Sequence, residues 1–252
     1  MNKFVIACLA RTGSYRLTDI LNQQEGVVCH GEIFKNNKIE VEDKYLEEIS
    51  LKRSDVKKRD SDPASFIDKL FGAVKSESNI ASGFKIFPGH NKDALDYCLA
   101  EKDFSVIFLC RNPFQQYVSL KVARNTGVWV KKNRQNEKKE ISPIVFSEGE
   151  FVNRMNAIFS YYNKVRLLSK VSGKEVLEID YNDSLRGEGI SDVMQHIGIP
   201  QKREVSSSHK KVIEKDYTDI VKNWDDAKAF LRNLGVDENM RFFDFYNKVM
   251  GS

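Results

Sequence analysis

The sequence predicts an α/β fold in which a parallel sheet carries helices on both faces. Short apolar runs of strand length alternate along the chain with stretches whose apolar residues recur at helical spacing, an order typical of parallel sheets. The first run is β-branched and unbroken by polar residues, as in a strand covered on both faces. A chain of 252 residues with 41% hydrophobic content can bury a sizeable core, so a disordered or peptide-sized protein is excluded.

The chain opens with a strand, a glycine-containing loop and a helix. Residues 4–9 read Phe-Val-Ile-Ala-Cys-Leu, and we expect them to form the central strand. Residues 11–13 then form a turn. Ser14 is placed to N-cap a helix whose leucine and isoleucine residues recur at helical spacing.

Three more strands follow further along the chain. The apolar runs at 80–87 and 104–110 predict strands, and each precedes a helical stretch, at 92–102 and 113–125 respectively. Residues 174–179 predict a fourth strand. These alternating elements are the basis for the parallel sheet.

The C-terminal half is predicted to be mainly helical. A long helix over 147–172 carries an apolar stripe at spacings of three and four, which indicates core packing rather than a cofactor-binding surface. Its members are Phe151, Met155, Ile158, Phe159, Tyr162, Val165 and Leu168. Residues 218–250 predict two short helices separated near Gly235.

Two charged segments interrupt this pattern. Residues 40–62 hold 14 charged residues in 23 and predict a solvated insertion of helix and loop, whereas 121–140 hold seven basic residues against two acidic ones. Neither has the composition of a linker. We therefore expect one domain over 1–252, with variable loops near 33–62 and 126–147.

Composition narrows the function classes. Forty Lys and Arg against 36 Asp and Glu give a net charge of +4, too little for a protein that wraps duplex DNA, so a small anion is a better partner than nucleic acid. The four cysteines form no C-x-x-C pair, which favours reduced thiols in the cytoplasm. The longest apolar run is 7 residues, far short of a membrane helix.

The loop after the first strand is a candidate anion site. It consists of Arg11, Thr12, Gly13, Ser14, Tyr15 and Arg16. Backbone N–H groups at a helix N-terminus stabilise phosphate or sulfate. The loop lacks G-x-x-x-x-G-K-[ST], so ATP hydrolysis by the usual arrangement is disfavoured. A turn glycine without a ligand explains the segment equally well.

A second candidate is Cys-Arg-Asn-Pro at 110–113. Because ligands gather at the carboxyl ends of parallel strands, Arg111 is expected at the same edge as Arg11, where the two could grip two phosphates. Ser119, about two helical turns further on, could reach the same anion only if the helix continues past it. The alternative is that Arg111 pairs with a surface carboxylate.

A third candidate is Glu32, at the end of a short apolar segment that follows the first helix. At the ligand edge its carboxylate could be a general base for a hydroxyl, although a lone Glu is normally a surface residue. His30 and His90 are rival bases. The histidines and cysteines form no cluster with metal-ligand spacing, so no metal site is expected.

Four blocks occur in a fixed order: R-[ST]-G-[ST] at 11–14, G-V-x-x-x-G-E at 26–32, G-F-K-I at 83–86, and C-R-N-P-x-x-Q-x-V-S-x-x-x-A-x-x-T-G-x-W at 110–129. A looser match is the basic run at 207–211, which leads into Ile-Val-Lys-Asn-Trp. Together these blocks resemble the sulfotransferases that use 3′-phosphoadenosine 5′-phosphosulfate, most closely the bacterial carbohydrate branch of trehalose, lipopolysaccharide and Nod-factor sulfotransferases. The resemblance covers most of the chain.

The resemblance implies a P-loop-like sulfotransferase fold and a donor site. The loop at 11–16 would hold the 5′-phosphosulfate, and Arg11 would stabilise charge on the leaving phosphate oxygen. Arg111 and Ser119 would hold the 3′-phosphate, with Lys210 or Lys211 closing over it. No metal would be needed.

The resemblance also implies the acceptor chemistry. Glu32 would take the proton from an acceptor hydroxyl, expected on a carbohydrate or glycolipid. Tyr15 stands where a small hydroxyl residue is common in the family, and Arg16 adds a charge beside it. Further candidates for the acceptor side are His30, Lys85, His90, Arg124 and Trp129.

The sequence therefore predicts a sulfotransferase, with two other functions left open. One is a small-molecule or nucleotide kinase, which the missing lysine of the ATP loop disfavours. The other is a non-catalytic module that holds an acidic glycan or nucleic acid through its basic stretch.

Overall fold

The strands form one sheet. In this computed structural model, which describes residues 1–77, 79–129, 142–185, 187–200, 207 and 216–251, the five strands are paired in the order β2-β3-β1-β4-β5, and all pairs are parallel. The strands are β1 (Asn2–Cys8), β2 (Val27–His30), β3 (Ala81–Ile86), β4 (Phe104–Cys110) and β5 (Val176–Asp180). The predicted parallel α/β fold and the central position of the first strand are confirmed.

One strand was not predicted. β2 has four residues, too few to show a periodic pattern, and it forms by pairing with β3, from Val27 beside Ala81 to His30 beside Phe84. This pairing places Glu32 just beyond the carboxyl end of a strand.

Helices occupy most of the remaining described chain. They are α1 (Ser14–Leu21), α2 (Asp43–Glu48), α3 (Val56–Ser61), α4 (Pro63–Ser76), α5 (Lys92–Ala100), α6 (Pro113–Thr126), α7 (Glu148–Val171), α8 (Gly187–His196), α9 (Tyr217–Ile220), α10 (Trp224–Asn233) and α11 (Phe242–Met250). The predicted helices over 92–102, 113–125 and 147–172 correspond to α5, α6 and α7. The two predicted C-terminal helices correspond to α10 and α11.

The start of α1 differs from the prediction. Gly13, in the left-handed region at φ +84°, is the N-cap, and Ser14 is the first helical residue and is buried. No side chain caps this helix, so the N-terminus depends on backbone geometry.

The two faces of the sheet have separate apolar cores. Val5 and Ala7 of β1 face a core that includes α4, α5, α6 and α7. Phe4 and Ile6 face the opposite way, toward α1 and α8. The expectation of helices on both faces is confirmed, and the predicted stripe of α7 lies in the first core.

The charged segment at 40–62 is not simply solvated, which corrects the prediction. Arg59 of α3 is 1% exposed. Its guanidinium donates to the carbonyls of Ile33 at 2.9 Å and Lys35 at 2.8 Å, and it pairs with Asp60. Tyr45 of α2 is also buried. The insertion is therefore tied to the core, and Arg59 fixes the backbone that follows Glu32.

No helix within the described ranges is long and apolar enough to span a membrane. The four cysteines are all free and buried.

Candidate active site

The predicted site residues come from neighbouring strand ends. The loop at 11–16 follows β1, Glu32 follows β2, Lys85 is in β3, and Arg111 follows β4. Because the strands are parallel, these positions lie along one edge of the sheet, where ligands of open α/β sheets bind.

Backbone geometry shapes the loop after β1. The Thr12 side chain is buried, and its hydroxyl donates to the Leu9 carbonyl at 2.8 Å. A Cβ atom on Gly13 would lie 2.5 Å from the Tyr181 ring, so the loop has room only for glycine there. The turn is followed at once by α1, whose first N–H groups lack partners within the helix. The structure thus shows both the tight turn and the helix N-terminus that an anion site needs.

Arg11 reaches across to α6. Its Nε donates to the Ser119 hydroxyl at 3.0 Å, and another guanidinium N–H donates to the Trp129 carbonyl. Burial and the charge of Arg111 lower the pKa of Arg11 to about 10. Ser119 was predicted to act with Arg111; in the structure, it is Arg11 that contacts it.

Arg111 lies against the loop. It donates to the Arg11 carbonyl at 3.1 Å and to Gln115 Oε1 at 3.2 Å, and its guanidinium is 4.4 Å from the centre of the Tyr181 ring. Burial lowers its pKa. Across the described residues no carboxylate forms an ion pair with Arg111 or Arg11.

Asn112 fixes the position of Arg111. Its side-chain oxygen accepts from the N–H groups of Phe114 and Gln115, which caps α6, and its amide donates to the carbonyls of Asp237 and Met240. α6 continues to Thr126 and carries Ser119 on its buried side. The helix therefore continues past Ser119, as the predicted role of Ser119 requires.

Glu32 is the centre of a buried polar cluster. It is 6% exposed, so the alternative of a surface residue is wrong. Its Oε1 lies 3.5 Å from Lys85 Nζ and its Oε2 lies 3.6 Å from His90 Nε2. The backbone N–H of Glu32 donates to Glu40 Oε2 at 3.1 Å.

Lys85 and Tyr15 link this cluster to the loop at 11–16. Lys85 is fully buried, and its Nζ lies 2.9 Å from the centre of the Tyr15 ring. Burial lowers the pKa of Lys85, an effect opposed by the charge of Glu32. Burial and the two nearby carboxylates of Glu32 and Glu40 raise the pKa of Tyr15, so its phenol keeps its proton. The large residue at position 15 therefore covers a buried lysine.

His30 and His90, the two other candidate bases, lie in different surroundings. His90 Nδ1 accepts from the Phe87 N–H at 3.2 Å, so a neutral ring carries its proton on Nε2, toward Glu32. His30 is buried and packs edge-on against Tyr45, with ring centres 5.6 Å apart. Burial lowers the pKa of both histidines to about 4. The structure places His90 in the cluster and gives His30 a packing role.

Other predicted residues lie at the margin of the site. Arg16 is partly exposed, although its Nε is buried without a hydrogen-bond partner. Arg124 is exposed near the end of α6, and Trp129 is 49% exposed.

Lys210, Lys211 and most of the basic stretch lie outside the described residues. Ser207, near those lysines, donates to Asp19 of α1 at 2.8 Å.

Sequence analysis missed several residues that the structure brings to this edge: Glu40, Gln116, Arg154 and Tyr181. Glu40 lies in the charged insertion, where nothing distinguishes it from its neighbours. Tyr181 carried a usable signal, since it lies two residues beyond the end of the strand predicted at 174–179. Among the described residues, no group of three potential ligands could hold a metal ion.

The chain was compared with solved structures, with curated proteins and with protein-family models. The chain is similar to a solved sulfotransferase from Alicyclobacillus acidocaldarius, with 15% sequence identity, a TM-score of 0.48, and coverage of 100% of this chain and 95% of that one. No protein-family model and no curated protein matches the chain. Function is therefore inferred from the residues of the site.

Proposed function

We propose that this protein is a sulfotransferase that moves a sulfuryl group from 3′-phosphoadenosine 5′-phosphosulfate to a hydroxyl of a carbohydrate or glycolipid. The observation that carries the proposal is that a buried carboxylate, Glu32, shares one sheet edge with two arginines, Arg11 and Arg111, that have no carboxylate partner in the described chain. The same residues belong to the four blocks that resemble sulfotransferases.

The donor fits the charges of the site. Arg11 and Arg111 are linked through the Arg11 carbonyl, and their like charges oppose each other. Anions beside them would relieve that repulsion. The loop at 11–16 and the N-terminus of α1 would hold the phosphosulfate, while Arg111 and Ser119 would hold the 3′-phosphate.

Glu32 supplies the base. Its carboxylate takes the proton of the acceptor hydroxyl while that oxygen forms a bond to sulfur. The bond between sulfur and the bridging phosphate oxygen breaks, and its electron pair stays on the leaving oxygen. Arg11 and the N-terminus of α1 stabilise that charge. The proton ends on Glu32.

Lys85 and His90 prepare the base. Lys85 Nζ lies 3.5 Å from one oxygen of Glu32, and His90 Nε2 lies 3.6 Å from the other. Glu40 holds the Glu32 backbone through its N–H. These contacts fix the carboxylate in one orientation, and positioning of this kind supplies much of the rate in group transfer.

The Glu32→Gln variant tests this assignment. It keeps the shape of the side chain and removes the base, so we expect the transfer rate to fall about 100-fold or more. Binding of 3′-phosphoadenosine 5′-phosphate should change little. Sulfuryl transfer from labelled donor to a panel of carbohydrate and glycolipid acceptors measures the rate.

Glu42→Gln is the control, because Glu42 is exposed and lies outside the cluster. It should leave the rate unchanged. A folded Glu32→Gln protein that transfers at the full rate would rule out Glu32 as the base.

A further inference from the structure

Arg154 of α7 is a half-buried cation that the proposed reaction does not use. Its guanidinium donates to the Ala10 carbonyl at 3.4 Å, at the carboxyl end of β1. Its Nε is buried and has no hydrogen-bond partner among the residues that the structure describes. No described carboxylate pairs with it. By contrast, Arg166, on the same helix, is paired with Glu178 at 3.1 Å.

Among the described residues, no negative charge pairs with the guanidinium of Arg154. Burial lowers its pKa to about 10, and the charge of Arg124 acts in the same direction. Arg124 itself also acts on the carboxylate of Glu150, which pairs with Lys121. A buried guanidinium without a carboxylate costs free energy unless an anion binds beside it.

A second polar group is unpaired at the same place. Gln116 of α6 donates to the Ala10 carbonyl at 2.8 Å, while its buried Oε1 has no hydrogen-bond donor. Arg154 and Gln116 thus donate to the same carbonyl, that of Ala10. Among the described residues, the Arg154 Nε donor and the Gln116 Oε1 acceptor have no partner. A ligand that bears both an oxyanion and a hydroxyl would satisfy them.

Arg154 and Arg111 donate to adjacent carbonyls, those of Ala10 and Arg11, from different elements. Tyr161, two turns later on α7, donates to the Ile86 carbonyl at the end of β3, next to Lys85. This part of α7 therefore lies near the carboxyl ends of β1 and β3, on the sheet face of Val5 and Ala7. Arg111 instead follows β4, on the other side of β1.

We propose that Arg154, with Gln116, binds an acidic group of the acceptor. The inference rests on the proposed function and narrows its substrate class to hydroxyl acceptors that carry a carboxylate or a phosphate-type oxyanion. A guanidinium binds either group through paired N–H donors. The negative charge would hold the acceptor between the donor loop and Glu32.

The test uses the protein saturated with 3′-phosphoadenosine 5′-phosphate, so that the donor's phosphate positions are filled. Methyl phosphate and acetate are titrated separately, and the N–H resonances of the arginine side chains are followed by NMR. We expect a saturable shift of the Arg154 Nε resonance with at least one probe. The probe that binds more tightly distinguishes a phosphate-type group from a carboxylate.

Arg154→Gln should weaken the binding of that probe at least 10-fold, whereas Arg166→Gln on the same helix should not change it. If Arg154→Gln does not fold, Arg154→Lys gives the same comparison, because it keeps the charge and removes the paired donors. Equal probe binding by these variants and the wild type would overturn the inference.

The donor titration separates the two proposals. If Arg154→Gln weakens binding of the nucleotide as strongly as Arg111→Ala does, Arg154 belongs to the donor site and the inference is wrong. If the wild type fails to bind the nucleotide at all, the proposed function itself is wrong.

Discussion

Gly13 lets the loop at 11–16 pack against Tyr181 because glycine has no side chain. Its φ of +84° costs other L-residues about 1–2 kcal/mol, and a Cβ there would also displace the Tyr181 ring. We expect Gly13→Ala to lower the free energy of unfolding by about 2 kcal/mol or more and to weaken nucleotide binding. Urea denaturation and nucleotide titration measure the two effects.

Gly72→Ala is the matched control for this change. Gly72 lies in α4 with no atom within 4 Å of an added Cβ, so alanine should raise the free energy of unfolding by about 0.5–1 kcal/mol. If Gly13→Ala were as stable as the wild type, the close packing of the loop under Tyr181 would be disproved.

His30 makes the stability depend on pH. Its pKa is about 4 in the folded protein, against an ordinary value of 6.5, so the unfolded chain binds more protons between these values. The contribution of the neutral ring is fully present above about pH 6.5 and is lost as pH falls toward 4. We expect the wild type to lose roughly 2 kcal/mol relative to His30→Phe between about pH 7 and pH 4.5.

Urea denaturation of both proteins across that range measures the difference. Between about pH 7 and pH 8 the two curves should run parallel, because the ring is neutral in both states. Parallel curves down to pH 4.5 would contradict the buried, neutral state of His30.

Single residues at strand ends could be predicted, but their partners could not. Glu32 and Arg111 were found because each follows a strand or an apolar segment. The contacts of Glu32 with Lys85 and of Lys85 with Tyr15 depend on how β1, β2 and β3 lie side by side. The spacing of these residues in the sequence does not predict the distances between their side chains.

At the scale of elements, the cap of α6 joins the end of β4, next to Arg111, to the C-terminal segment. Asn112 caps two N–H groups and also holds the carbonyls of Asp237 and Met240. Because Asn112→Ala removes the cap and also removes the donor to two part-buried carbonyls, we expect it to lower the free energy of unfolding by about 3 kcal/mol. Urea denaturation measures the loss.

Asn91→Ala is the comparison for this cap. Asn91 caps α5 through the Ala94 N–H, and its amide contacts only the exposed carboxylate of Asp60, so alanine should cost only about 1 kcal/mol. Equal losses in the two variants would show that Asn112 acts as an ordinary cap and does not anchor the C-terminal segment.

Long elements with a clear period were the easiest to predict. α7 was predicted almost to its ends because its apolar stripe extends over many turns. The strand β2 was missed because four residues carry no usable period. α4 was missed although Phe66, Leu70 and Val74 recur at helical spacing, so that signal was present in the sequence. The segment at 40–62 was wrongly predicted to be solvated, because its charge does not show that Arg59 is buried.

For the whole molecule, the order of strands decides the geometry of the site. The order β2-β3-β1-β4-β5 places the loop after β1 between Glu32 on one side and Arg111 on the other. The sequence predicted the central strand from its apolar character. The neighbours of that strand depend on crossovers that leave no local signal. The strand order thus brings the proposed base, Glu32, and the proposed anion-binding residues, Arg11 and Arg111, to one edge of the sheet.

The central claim is that this edge binds a nucleotide with a 3′-phosphate and transfers its sulfuryl group. Titration with 3′-phosphoadenosine 5′-phosphate tests it most directly, with 5′-AMP and ATP as comparison ligands and Arg111→Ala as the comparison protein. We expect binding that is at least 10-fold tighter than that of 5′-AMP and that is lost in Arg111→Ala. Equal binding of 5′-AMP, or a preference for ATP with magnesium-dependent turnover, would contradict the claim.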